Sequence, residues 1–275
     1  MGSIVGAFGT AHLVMKRGTA GEAGERVFDG MKEIGRRVRA LSPDRLVIIS
    51  SDHFYNYRIG TPIAYGVAAA DSHRPFGDMH LPTDPFAGDA LFARGLAAHS
   101  GAASFDLAVL EDYRPDHGVV IPMLMVGRAA GVPVIPVITN TANEPAPSLA
   151  DGWRLGGLIR EYVEQRRRAE ERVVVIGTGG LSHWLAVPEM GRVNSEFDLA
   201  VIDALTQGRG ESLLGWTGEQ ILAEGGNGGL EIVNWLMMAG TMPGATGERV
   251  YYEPIPEWVT GMGGIELFAN TGNTK

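Results

Sequence analysis

Four of the seven histidines stand just beyond apolar runs that read as β-strands. The run SIVGAFGT (3–10) leads to His12, and RLVIIS (45–50) leads to Asp52-His53. LAVL (107–110) runs into Asp116-His117-Gly118, and RVVVIG (172–177) runs into Gly177-Thr178-Gly179-Gly180-Leu181-Ser182-His183. Surface histidines of independent origin are not expected at four comparable places. The other three, His73, His80 and His99, lie in a loop or on a helix of the reading below. Neutral imidazole nitrogens are good ligands for divalent iron, zinc and manganese. Two histidines and one carboxylate on one face of an octahedral ion leave three positions open. That suits Fe(II) that must hold an organic substrate and O2 together.

A carboxylate is therefore needed, and Glu231 in GGLEIVNWL (228–236) is the candidate. It is an acid among large apolar residues just after a glycine run, where a buried charge is costly without a cation. Glu231 also fits the first turn of a helix, where an acid favours the dipole. The local sequence leaves these two readings open. Each histidine alone has a plain alternative as well. His12 or His53 could be a loop residue bonded to backbone, with Asp52 capping a turn. His117-Gly118 could be a turn, and His183 the start of a helix. Four histidines at four strand ends together point to a shared site.

Other chemistries are excluded. The chain has no cysteine, which removes disulfides, thiolate zinc sites and cysteine nucleophiles together and fits a reducing cytoplasm. H-E-x-x-H, G-x-S-x-G and the P-loop pattern are absent, and Gly177-Thr178-Gly179-Gly180 lacks dinucleotide spacing. The formal net charge of −9 argues against nucleic acid and against an anionic membrane face. It leaves room for an anionic small substrate, since one local Arg or Lys can outweigh the global field. The N-terminus lacks a signal-peptide pattern. The longest apolar stretch, 119–139, is interrupted by Arg128, Gly131, Pro122, Pro133 and Pro136 and cannot span a membrane.

The elements that must position these residues alternate between strand and helix. Val27, Met31, Ile34, Val38 and Leu41 recur at helical spacing, which predicts a helix over 24–41. Further helices are predicted over 84–99, 119–129, 151–168 with Asp151 as N-cap, 194–205, 212–223 and 229–238. VPVIPVIT (132–139) reads as a strand placed at an edge or bulge by its prolines. RVYYEPI (249–255) and GIELF (264–268) read as closing strands, and glycine-rich 225–229 is the nearest thing to a linker. Together these predict one α/β domain over 1–275, a sandwich with a central, mostly parallel sheet and helices on both faces. In such sheets ligands bind beyond the carboxyl ends of the strands, which is where the four histidines fall.

With these residues in hand, the chain resembles the class III extradiol dioxygenases, most of all the catalytic β subunit of the protocatechuate 4,5-dioxygenase type. The matching pieces span nearly the whole chain. They are the strand ending at His12, Asp52-His53, Asp116-His117-Gly118 with Pro122, the 177–183 segment, NSEFDL (194–199), and the helix from Glu231 to Gly240. The resemblance implies an α/β sandwich that binds Fe(II) through His12, His53 and Glu231. His183 would be the general base at a substrate hydroxyl, and His117 a second acid/base or orienting residue. The substrate would be a small catechol-like or aminophenol-like aromatic, opened with O2 to a semialdehyde. No appended helical domain is visible, so the resemblance implies either a homo-oligomer or a separate small helical subunit. One departure stands out: the family holds a substrate carboxylate near Pro256-Glu257-Trp258-Val259, where this chain is bulky and acidic. Trp258 is accordingly expected at the pocket wall, favouring uncharged catechols or aminophenols over benzoate-type substrates. Two readings compete with ring cleavage: a zinc hydrolase or lyase using the same triad, and a non-catalytic homologous subunit. Retention of all five polar positions weighs against the second.

Overall fold

The computed structural model describes residues 1–13, 15–16, 18–126, 131–142 and 146–269. Its centre is an eight-stranded sheet. In chain order the strands are β1 (Ser3–Thr10), β2 (Arg45–Ser51), β3 (Tyr65–Ala68), β6 (Ala108–Leu110), β7 (Val134–Thr139), β8 (Arg172–Thr178), β9 (Gly247–Ile255) and β10 (Thr260–Leu267). Their spatial order is β6-β3-β7-β2-β8-β1-β10-β9. The middle four, β7-β2-β8-β1, run parallel. β10 and β9 extend the sheet antiparallel on one side, and β3 pairs antiparallel with β7 on the other. β4 (Ser72–His73) and β5 (Phe86–Ala87) form a separate two-stranded ribbon.

Alternate residues of the central strands feed two cores. Leu46, Ile48, Val174 and Ile176 face Val27, Met31, Ile34 and Val38 of helix α1 (Gly21–Ala40) and Val119, Val120 and Met123 of α3 (His117–Val126). Val47, Ile49, Val173 and Val175 face α2 (Ala90–Ala102), α4 (Leu149–Arg166), α5 (Ser195–Thr206) and α7 (Ile232–Gly240). Both faces of these strands are buried, which is why they read as unbroken apolar runs. The expected sandwich with helices on both faces is thus the observed fold. Among the described residues no helix is long and apolar enough to cross a membrane.

Several expectations need correction. The 132–139 strand is interior, not an edge, lying between β2 and β3. β3 pairs only with Val137, Ile138 and Thr139, so Pro136 has no ladder partner on that side and its missing N–H is tolerated. α2 begins at Ala90, not near 84, because Phe86 and Ala87 are taken by the ribbon and Asp89 caps the helix by accepting from Phe92 N–H. The cap of α4 is Ser148, whose Oγ accepts from Asp151 N–H at 3.0 Å. The helix expected over 212–223 is a 3-10 turn (Gly210–Leu213) followed by α6 (Gly218–Gly229), which Thr217 opens with a capping box. The glycine cluster at 225–229 forms the end of α6, where the helix is broken at Gly226 (φ +79°). Part of the helix expected over 119–129, at 127–129, lies outside the described residues.

Parallel strands bring their carboxyl ends to one edge. Thr10 of β1 sits level with Thr178 of β8, and Ser51 of β2 with Thr139 of β7. The amide of Asn234 on α7 ties three of these ends together. Its Nδ2 donates to Ser51 Oγ at 3.1 Å and to the Thr178 carbonyl at 2.8 Å, while its Oδ1 accepts from Thr139 Oγ1 at 2.7 Å. Helix α7 is apolar all round because it is clamped between the sheet and α4. Close approach is possible because α4 presents Gly152 and Gly156 to it; a Cβ at Gly156 would run into the Met237 carbonyl. Gly156→Ala should therefore shift α7 and destabilise the protein by roughly 1–3 kcal/mol. Urea denaturation would measure this, and an unchanged midpoint would contradict the packing described.

Candidate metal centre

Each of the four strand-end histidines has its Nδ1 committed to a neighbour, which fixes the direction of its Nε2. His12 follows β1 and is 3% exposed. Its Nδ1 lies 3.2 Å from Thr178 Oγ1, and that hydroxyl donates its one proton to the Gly118 carbonyl at 3.0 Å. Thr178 must accept from His12, so Nδ1 carries the hydrogen and Nε2 is a free lone pair. His53 follows β2, with Nδ1 3.0 Å from Asp116 Oδ2. The same oxygen accepts the His53 backbone N–H at 3.1 Å, and Asp116 Oδ1 accepts from Gly118 N–H at 2.9 Å. His117 opens α3, with Nδ1 2.5 Å from Asp78 Oδ2. His183 Nδ1 donates to the Leu181 carbonyl at 3.1 Å.

The carboxylate of Glu231 lies among these rings. It is 5% exposed and stands at the N-cap of α7, with its side chain turned to the histidines. Oε2 accepts from Gly180 N–H at 2.9 Å and is 3.9 Å from His183 Nε2. Oε1 is 3.2 Å from His53 Nε2 and 3.8 Å from His12 Nε2. The His12 and His53 rings meet edge-on at 4.8 Å, and the His117 ring is 4.1 Å from that of His53. His12, His53 and His117 each offer an atom within 4.8 Å of the others.

Electrostatics follow from burial and this clustering. Burial pushes the His12 imidazole down to about 3, so it stays neutral. Burial opposes charge on His53 too, but Asp116 and Glu231 outweigh it and hold its pKa well above the ordinary value. Burial would raise Glu231, yet the imidazoles of His12, His53 and His183 keep it well below the carboxylate range. The site thus holds an ionised carboxylate and inward-facing imidazole nitrogens. That donor set fits a divalent cation, with Glu231 or His117 able to complete a set with His12 and His53.

The glycine cluster, read from sequence as a near-linker, turns out to cradle His183. Gly225 O accepts the His183 N–H at 2.8 Å, and Gly228 N–H donates to the His183 carbonyl at 3.1 Å. Side chains at Gly180 and Gly228 would collide with the imidazole from two sides. Gly226 has φ +79° and a Cβ there would strike the His183 carbonyl, so only glycine fits. Asp198 braces the same segment. Its Oδ1 accepts from Ser182 N–H at 2.6 Å and its Oδ2 from the Tyr252 hydroxyl at 2.8 Å, and burial raises its pKa to about 6.

Trp258 is not part of this group. It is 0% exposed, packs edge-on against Phe28 of α1 at 5.8 Å, and donates its indole N–H to Thr19 Oγ1 at 2.8 Å. Its indole N–H is taken and it offers no exposed surface, where the sequence leads us to expect it at a pocket wall. Sequence reasoning also missed three orienting partners: Asp78, Asp116 in its contact with His53, and Thr178. Asp52 only caps the turn at Asn56 and Tyr57. Asp116 had one usable signal, an acid beside His117 at a strand end; Asp78 had none. His73 lies in β4, His80 in the 3-10 turn Asp78–His80, and His99 on α2, none of them in the group.

Residues 7–263 match the family model described as the catalytic LigB subunit of aromatic ring-opening dioxygenase. The chain is 28% identical over 276 residues to the 2,3-dihydroxyphenylpropionate/2,3-dihydroxicinnamic acid 1,2-dioxygenase of Cupriavidus necator, covering 82% of this chain and 85% of that one. The protein of the same name from Mycolicibacterium smegmatis is 25% identical over 294 residues, covering 89% and 91%. In three dimensions the chain is similar to an uncharacterized protein of Escherichia coli K12 whose crystal structure superimposes with a TM-score of 0.60. That likeness has 15% identity, covers 95% of this chain and 99% of that one, and bears on the fold alone.

A cation entering between Glu231 and the imidazoles must displace the proton that His53 carries in the free protein. Because Asp116 and Glu231 raise that pKa, the competing proton is lost only as pH climbs through the raised value. Affinity for Zn(II) or Co(II) should therefore rise with pH, by about tenfold per unit while one proton is released per ion. Calorimetry in buffers of differing ionisation enthalpy checks this, and a pH-independent affinity with no proton release would contradict it.

Proposed function

Since the chain belongs to the LigB family of aromatic ring-opening dioxygenases, we propose that it is an Fe(II)-dependent extradiol dioxygenase whose whole length forms one catalytic domain. The observation that carries the reading is the set of imidazoles whose Nδ1 atoms are all tied down, leaving Nε2 atoms around one ionised carboxylate. His12 Nε2, His53 Nε2 and Glu231 Oε1 would hold the iron. Glu231 is favoured over His117 because a carboxylate offsets the charge of a dication and because Gly180 N–H occupies only its Oε2. Iron held there would supply a Lewis-acidic centre for the two oxygens of a catechol to chelate and a route for electron density between the diol and O2.

The protein's own groups account for the proton movements. With Nδ1 donating to the Leu181 carbonyl, Nε2 is the acceptor nitrogen of the neutral His183 ring, and it would take a proton from a substrate hydroxyl. The proton that ring opening needs is the one His183 took, while His117, held through Nδ1 by Asp78, presents Nε2 from another side as a second acid/base or orienting group. Burial of His12, Glu231 and His117 keeps bulk water from these transfers. The relatives named for dihydroxyphenylpropionate and dihydroxicinnamic acid support a catechol that carries a ring substituent. With Trp258 buried against Phe28, the sequence argument against acidic substrates rests on Glu257. The cysteine-free composition fits action in a reducing cytoplasm.

Anaerobic reconstitution with Fe(II), followed by oxygen uptake on a catechol panel, tests the reading. Stoichiometric O2 consumption and a ring-opened semialdehyde are expected. His183→Ala should bind iron as the wild type does and lose roughly 10²–10⁴-fold in turnover. Loss of iron in that variant, with normal iron in His12→Ala, would reverse the assignment of ligand and base.

A further inference from the structure

The metal centre opens on one side. The side chain of His53 is 24% exposed, whereas those of His12, Glu231, His183 and His117 range from 4% to 11%. The side next to His53 is lined by two segments, 53–57 and 75–79. Both carry large apolar side chains outward: Phe54 is 59% exposed, Tyr55 40%, Phe76 36% and Met79 41%. Soluble proteins scatter such residues, and a cluster beside a buried polar site marks a binding surface.

The cluster is held in place. Tyr55 and Phe76 stack with ring centroids 4.3 Å apart, and the Arg114 guanidinium lies 5.0 Å from the Phe76 centroid. One Arg114 nitrogen donates to the carbonyls of Pro75 and Phe76, and Phe76 N–H donates to the Pro115 carbonyl at 2.8 Å. Asn56 clips the two sides together, its Nδ2 donating to the Arg114 carbonyl and its Oδ1 accepting Arg114 N–H. Phe54 (φ +63°), Gly77 (φ +88°) and Met79 (φ +50°) all lie in the left-handed region. Non-glycine residues are strained there, and such strain gathers at ligand-binding sites. The wall also adjoins the reacting groups. Tyr55 lies two residues from His53, and Asp78, which holds His117, lies between Gly77 and Met79 of the other segment.

We propose that the stacked pair Tyr55–Phe76 is a substrate subsite that takes a flat, apolar substituent, aryl or alkenyl, on the catechol ring. This rests on the ring-cleavage reading and adds to it the residues that would take the ring substituent. A flat group extends the Tyr55–Phe76 stack by offset or edge-on contact. Because the wall is already braced by Arg114 and Asn56, little ordering is needed on binding.

The test compares catechol with 3-phenylcatechol and 4-phenylcatechol. kcat/KM is measured on the Fe(II) enzyme, and affinity is measured by calorimetry on the Zn(II)-loaded protein. The wild type should prefer a phenylcatechol in both. Tyr55→Ala and Phe76→Ala should each reduce that preference by roughly tenfold or more, the range expected for an apolar contact, and Tyr55→Phe should keep it. Preference unchanged in both alanine variants, or equal losses on plain and substituted catechols, overturns the subsite. So does a change in sedimentation mass with the preference intact, which would give this face to a second copy of the chain. If the wild type cleaves no catechol while the calorimetric preference still depends on Tyr55 and Phe76, the ring-cleavage reading fails and the subsite stands.

Discussion

Glu231 is an ionised carboxylate sealed from water, and the rest of the site is organised around that fact. Such a charge is costly to bury unless cations and hydrogen bonds surround it. Here Gly180 N–H takes one oxygen, and imidazoles face the other. Asp116, on the far side of His53, and Glu231 both favour positive charge on that imidazole. A divalent ion at this place would offset the carboxylate with more charge and could take the inward-facing imidazole nitrogens as ligands.

Keeping that arrangement requires parts from distant places in the chain. Thr178 orients His12, Asp116 orients His53, Asp78 orients His117, and the Leu181 carbonyl orients His183. Such partners fix ring direction and tautomer, and metal sites depend on them nearly as much as on the ligands. Beneath them Asn234 joins Ser51, Thr139 and Thr178, so the helix that follows Glu231 is anchored to the strand ends that carry the histidines. Glycines at 152, 156 and 240 let that helix sit between α4 and the sheet, and those at 180, 226 and 228 leave room for His183.

Much of this was legible in the sequence, and for physical reasons. Central strands buried on both faces must be apolar throughout, so 3–10, 45–50 and 172–177 announced themselves, and α1 did so through Val27, Met31, Ile34 and Val38. The histidines could be placed because parallel strands end at one edge. What sequence missed depends on distance across the fold. Nothing local pairs Asp78 with His117 across 39 positions, or sets Pro136 beside a β3 too short to reach it. Short β3 gave no periodicity of its own. The glycines at 225–229 looked like slack because their neighbour, His183, is more than forty residues away. Trp258 was judged by its place in a motif, while its actual surroundings are Phe28 and Thr19.

The central claim is that His12, His53 and Glu231 share one ion, with His117 and His183 beside it. X-ray absorption at the iron edge, joined to anomalous diffraction from Fe(II)-loaded crystals, addresses it directly. A single iron about 2.0–2.3 Å from two imidazole nitrogens and one carboxylate oxygen is expected, by the usual distances for divalent sites. The anomalous peak should fall between His12 Nε2, His53 Nε2 and Glu231 Oε1. A peak bound by His12, His53 and His117 with Glu231 turned away, or one outside the group, would contradict the account.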